Sequence, residues 1–147
     1  MIEPLLISFD VASRADHAFE TWTSKIDTWW PSAHTTSAEP DVVIVLEGEL
    51  GGRLFERTNA GIEHEWGRVT VWEPPTRFGY TWHLRRDAAD ATEVSISFTS
   101  IDDGHTRVDI LHTGWDRLGD GADWRARNRG GWDGLLPHFI EATERKS

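Results

Sequence analysis

"EWGRVTVWEPPTRFGYTWHL", residues 65–84, contains two extended runs joined by a double proline. In the second run Phe78, Tyr80, Trp82 and Leu84 alternate with polar or small residues, which makes one side of an extended chain apolar and aromatic. Pro74 and Pro75 cannot donate ladder hydrogen bonds and mark the reversal between the runs. An antiparallel pair follows, and its neighbours repeat the pattern. "DVVIVLEGEL" (41–50) and "RLFERT" (53–58) precede it, while "EVSISFTS" (93–100) and "RVDILHT" (107–113) come after. The intervening "TNAG", "RDAADA" and "DDGH" are rich in turn residues, so the whole region reads as an antiparallel meander.

Upstream, "PLLISFDV" (4–11) predicts a first strand, ended by "ASRAD", in which Ser13 can cap a helix with Asp16 three residues on. Ala15, Ala18, Phe19 and Trp22 then fall on one helical face, and Ile26, Trp29 and Trp30 predict a second short helical turn stopped by Pro31. Two adjacent indoles cannot share one narrow stripe. Trp30 is therefore expected at the core or cavity wall, and Trp29 against the rim of the sheet. Downstream, Trp132, Leu135, Leu136 and Phe139 form the apolar face of a helix over residues 123–144. Gly130 and Gly131, each about 1 kcal/mol less favourable than Ala in a helix interior, predict an irregular start or a close approach to a neighbour. Pro137 predicts a bend. The order of elements implies an α+β fold: a curved antiparallel sheet of six to seven strands wrapped around a long C-terminal helix, with two short helices between strands one and two. No linker or repeat interrupts residues 1–147, and a single domain is expected.

Nine tryptophans in 147 residues, beside one tyrosine and one methionine, point to a buried core rather than disorder. A net charge of −10 opposes the phosphate backbone and anionic membrane surfaces, so neither nucleic acid nor membrane is an expected partner. The absence of cysteine excludes disulfides, thiolate metal sites and a cysteine nucleophile. The N-terminus lacks a basic segment followed by an apolar run, and no apolar stretch is long enough to span a bilayer, which makes the cytoplasm the expected location. There is no H-E-x-x-H, G-x-S-x-G, P-loop or G-x-G-x-x-G motif, and no helical i, i+4 histidine pair, so neither a metal nor a cofactor is expected.

"TWW" with Pro31, "GGRLFER" (51–57), "EWGRVTVWEPPTRFGYTW" (65–82), "TEVSISF" (92–98), "TRVDILHTGW" (106–115) and "GGWDGLL" (130–136) together resemble the SRPBCC (START-like, helix-grip) superfamily. Within it they are most similar to the branch related to the activator of the ninety-kilodalton heat-shock protein's ATPase. The resemblance spans nearly the whole chain and implies a cavity between the concave sheet and the C-terminal helix, open near the short helices. It says little about activity, because the superfamily hosts lipid carriers, hormone receptors and polyketide cyclases.

If the apolar side of each strand faces that cavity, its lining is expected to include Leu54, Val69, Tyr80, Trp82 and Phe98 from the sheet. Trp30 joins from the short helices, and Trp132 and Leu136 from the long one. Parity turns Glu56 and His112 inward as well. A carboxylate among aromatics is costly unless paired or protonated, so Glu56 reads as a ligand contact, a proton-transfer group with a raised pKa, or an acceptor for a buried indole or arginine. His112 could donate or accept beside it, or meet solvent at a strand end. His34 either closes over a bound molecule or caps its loop. Trp66 and Trp72 have the opposite parity to Val69 and Val71 and are expected either under a neighbouring loop or in an exposed patch, which makes a homodimer a candidate assembly. The function expected is binding of a small apolar or aromatic molecule, oriented by Glu56, Tyr80, Trp82 or His112. The alternatives are a cyclase-, dehydratase- or hydrolase-type enzyme using Glu56, and a co-chaperone or protein-interaction module.

Overall fold

The computed structural model describes residues 2–84 and 86–145. Strand β1 (Leu5–Val11) leads to helix α1 (Ala15–Trp22), and two 3₁₀ turns, Ile26–Thr28 and Ser32–His34, carry the chain to β2 (Val43–Leu46). Strands β3 (Arg53–Arg57), β4 (Glu63–Glu73), β5 (Arg77–Trp82), β6 (Thr92–Asp102) and β7 (His105–Thr113) follow, and helix α2 (Gly121–Glu144) closes the chain. The strands form one seven-stranded antiparallel sheet in the order β1-β7-β6-β5-β4-β3-β2. From β3 to β7 each strand pairs with its predecessor. The excursion through α1 sets β1 beside β7, with Leu5 opposite His112 and Val11 opposite Thr106. This is the α+β helix-grip arrangement.

The apolar periods account for what is buried. Ala18, Phe19 and Trp22 of α1 face inward, as do Trp132, Leu135, Leu136 and Phe139 of α2 and the alternating Val94, Ile96, Phe98, Val108 and Ile110. The core is dense in rings. Phe19 meets Phe78 and Phe98 at 5.6 and 5.4 Å between centroids, and Phe139 meets Trp22 and Trp29 at 4.5 and 5.4 Å. Much of the space that the inward pattern predicts to be hollow is thus occupied by the side chains themselves.

Four local expectations are corrected. Ser13 does not cap α1. Arg14 holds that position without a side-chain cap, and the Ser13 hydroxyl instead meets Thr143 Oγ1 at 2.9 Å, tying the start of α1 to the end of α2. Trp29 lies between the helices rather than at the sheet rim, its indole N–H donating to the Thr21 carbonyl at 2.7 Å. Gly130 and Gly131 belong to a continuous helix, and a Cβ on either would meet nothing within 4 Å, so neither an irregular start nor a close approach explains them.

The fourth concerns Trp66 and Trp72, which form no exposed patch: Trp66 is fully buried and Trp72 packs on Phe19 and Phe78. The register explains the reversal. Leu54 pairs with Gly67 but Phe55 with Glu65, and Val69 pairs with Tyr80 but Val71 with Gly79, so β4 carries an extra residue at each of two bulges. Each bulge flips the side-chain alternation, which lets Trp66, Val69 and Trp72 all face the core. At the first bulge a Cβ on Gly67 would fall 1.6 Å from the Thr81 carbonyl oxygen, so only glycine allows the backbone approach.

Candidate functional site

Where β5 ends, the strand, the segment after α1 and the first half of α2 enclose a cavity of about 520 Å³, open to solvent on one side. The sheet contributes Trp82, with Leu84 just beyond it, and the segment after α1 contributes Trp30, Ala33 and His34. Helix α2 supplies Trp124, Arg127, Asn128, Gly131, Trp132 and Leu135. Those six positions step by three and four along one helical face. Trp66 lies beneath the lining, 5.1 Å from Trp30 and 5.8 Å from Trp82 between ring centroids. The walls are therefore mainly indole, and the bare face of Gly131 keeps the cavity wide.

Hydrogen bonds hold those indoles in place. Trp82 Nε1 donates to Asn128 Oδ1 at 3.1 Å, while the Asn128 amide nitrogen donates to the Trp124 carbonyl at 2.9 Å. Trp30 Nε1 donates to the His34 carbonyl at 2.8 Å. Trp132 Nε1 donates to His112 Nδ1 at 3.1 Å, and since an indole nitrogen only donates, Nδ1 carries no proton. The imidazole proton is therefore on Nε2, which donates to Thr92 Oγ1 at 2.7 Å. The Thr92 hydroxyl in turn donates to the Trp82 carbonyl at 3.3 Å. His112 thus links two walls of the cavity from behind. It is wholly buried, and desolvation pushes its pKa down from 6.5 to about 3, so the ring is neutral at physiological pH.

Glu56 is also wholly buried, but it belongs to a separate network. Its carboxylate accepts from the Trp66 indole at 2.7 Å, from the Ser37 amide at 3.0 Å and from the Thr36 amide. Burial alone would raise its pKa; the hydrogen bonds from Ser37, Thr36 and Trp66 together outweigh that and set it below the ordinary 4.5. The raised pKa that the sequence suggests is thus reversed. Glu56 is an ionised anchor for residues 36–37 and Trp66, and among the described residues it shares no hydrogen-bond partner with His112.

Of the ten residues expected at the site, Trp30, Trp82 and Trp132 line this cavity. Leu54, Val69, Tyr80, Phe98 and Leu136 are buried in the core, and Glu56 and His112 stand behind the walls. His34, expected at an entrance, does line the cavity, its ring 3.4 Å from where a Cβ on Gly134 would be. Trp124, Arg127, Asn128 and Gly131 escape the sequence reading. Stepping the α2 period back from Trp132 reaches them, but their mixed polarity conceals the face. Among the described residues no group of three or more histidines and carboxylates is placed to hold a metal ion, and no helix is long and apolar enough to cross a membrane.

The family model described as Activator of Hsp90 ATPase homolog 1-like protein matches residues 12–143. No curated protein sequence matches the chain. Among solved structures, the anthrahydroquino-γ-pyrone synthase Txn09, determined as a complex, is 34% identical over 84% of both chains, with a TM-score of 0.62. The self-sacrificing resistance protein CalC from Micromonospora echinospora is 27% identical, covering 96% of this chain and 91% of its own, with a TM-score of 0.65. The Aha1 dimer from Colwellia psychrerythraea is similar in fold, at 17% identity over 97% of both chains and a TM-score of 0.71.

Proposed function

The chain belongs to the family of Activator of Hsp90 ATPase homolog 1-like proteins, whose matched region takes in every described wall of the cavity, and on that premise we propose that it binds a small apolar or aromatic molecule there. The observation that carries this reading is the cavity itself: about 520 Å³, within the range of small-molecule sites, with four indoles in its walls. Indole walls offer flat, weakly hydrated surface on which another ring can stack. The similarity to a synthase named for a fused aromatic pyrone supports a polycyclic guest. The work of such a binder would be done in the cytoplasm.

That same similarity favours a second reading, a cyclase-type enzyme. In it the proton-transfer role would pass to His34, which faces the cavity, because the Glu56 carboxylate is occupied by three donors. The likeness to the solved Aha1 dimer is one of fold.

The test is a fluorescence titration with a panel of polyphenols, quinones, aromatic acids and fatty acids, run on the wild type and on Gly131→Phe, whose ring would fill the cavity. Saturable quenching in the wild type, lost in the variant while circular dichroism is unchanged, is the expected result. An unresponsive wild type across the panel would sink the reading.

A further inference from the structure

The cavity has one formally charged side chain among its described lining residues, Arg127. Its neighbours on α2 show that this is unusual. Arg125 donates to the Glu3 and Pro4 carbonyls at 2.7 and 3.1 Å, and Arg129 pairs with Asp133 at 3.4 Å. Arg86, across the rim, is held by Asp120 at 3.0 Å and Asp90 at 3.6 Å and lies over the Trp124 ring at 4.6 Å. Among the described residues Arg127 makes no side-chain hydrogen bond and no ion pair within 4 Å, and its charge acts only at a distance on Asp120, whose carboxyl it helps to hold below the ordinary range. Its guanidinium is 5.8 Å from the centre of the Trp124 ring, one turn away on the same face.

The polar side chains of the lining other than Arg127, His34 and Trp124 are engaged within the protein. The Asn128 amide is shared between Trp82 and Trp124, and the Trp30, Trp82 and Trp132 indole protons point to acceptors within the protein. A guest in this cavity therefore finds stacking surface on most sides and a single strong donor set at Arg127. A guanidinium matches the two oxygens of a carboxylate.

Resting on the binding reading above, we propose that the ligand is a planar aromatic acid, its rings between the indoles and its anionic oxygens paired with Arg127. The net charge of −10 and Glu63, Glu65, Asp87, Asp90 and Asp120, which line a neighbouring pocket together with Arg127, oppose an anion. Screening, with a decay length of about 8 Å at physiological ionic strength, weakens the more distant charges, and of the close ones Asp90 and Asp120 are paired with Arg86, Glu63 with Arg53 and Arg57, and Glu65 with Arg68. Contact at Arg127 dominates. The low-dielectric indole walls strengthen a pair made against them.

The experiment compares anthraquinone-2-carboxylate with anthraquinone-2-carboxamide, which share rings and shape but differ in charge. Their affinities are measured by calorimetry for the wild type, Arg127→Gln and Arg127→Lys. The wild type is expected to prefer the carboxylate by about tenfold, equivalent to about 1.4 kcal/mol. Arg127→Gln should bind both probes alike, Arg127→Lys should keep part of the preference, and high salt should reduce it in the wild type. Equal binding of the two probes by the wild type, or a preference that survives Arg127→Gln, overturns the assignment of Arg127 while leaving an aromatic-binding cavity intact. Binding of neither probe, together with an unresponsive ligand panel, overturns both readings; binding of neither with a neutral ligand found in the panel overturns the anion alone.

Discussion

Glu56 and His112 are both buried without exposure, yet they are charged and neutral respectively because their partners differ. Three N–H donors surround Glu56, and only a carboxylate can accept all of them. Glu56→Gln should cost about 2–3 kcal/mol in urea denaturation, since one amide N–H would face the donors it replaces an acceptor for. His112 is held by one donor and one acceptor, so its neutral tautomer fits and its cation does not. The sign of its effect on stability follows. Its folded pKa is about 3 against an ordinary 6.5, so between those values the unfolded chain takes up a proton that the folded one refuses, and stability falls as pH falls. Between pH 6.5 and about 5, above the range where Glu56 titrates, the loss should reach roughly 2 kcal/mol. Urea midpoints across that window should slope in the wild type and lie flat in His112→Gln, whatever the variant's stability at neutral pH. The inward direction of both residues was legible from strand parity. Their roles were not, because Thr36, Ser37 and Trp132 come to them from distant parts of the chain.

At the level of elements, β4 and α2 contrast a break in pattern with a continuation. The two bulges of β4 depend on how β3 and β5 pair with it, and an unpaired strand gives no sign of where an extra residue will sit. Gly67 is the sequence trace of the first bulge. Gly67→Ala should lower stability by about 3 kcal/mol or more, because the added methyl would strike the Thr81 carbonyl. Gly131 behaves in the opposite way. With nothing within 4 Å of its Cβ position, Gly131→Ala should raise stability by up to about 1 kcal/mol, the ordinary gain from helix propensity. Thermal denaturation of the two variants side by side tests both signs. Gly131 differs from Gly130, whose Cβ position is equally open, in lining the cavity, where the missing side chain leaves space for a guest.

For the whole molecule, the sheet and α2 meet through a core of interlocked rings at one end and part around the cavity at the other. A guest that binds only the folded state, supplied at a hundred times its Kd, should add about 2.7 kcal/mol and raise the Tm by about 8 °C for a chain of this size. The shift should be absent in Gly131→Phe. A melting scan with the tightest member of the panel decides this, and an unmoved wild-type midpoint counts against occupancy. The amino-acid order by itself determined the strands, the helices, their antiparallel succession and, outside β4, the face that each turns to the core. Those follow from periods of two and 3.6 residues, which are local properties of the backbone. Only the tertiary structure decided that most inward rings fill the interior, that Glu56 and His112 became supports, and that the remaining space fell against Trp124, Arg127 and Gly131. Whether facing side chains interlock or leave a gap depends on the distance and register between elements far apart in the chain, which no local pattern encodes.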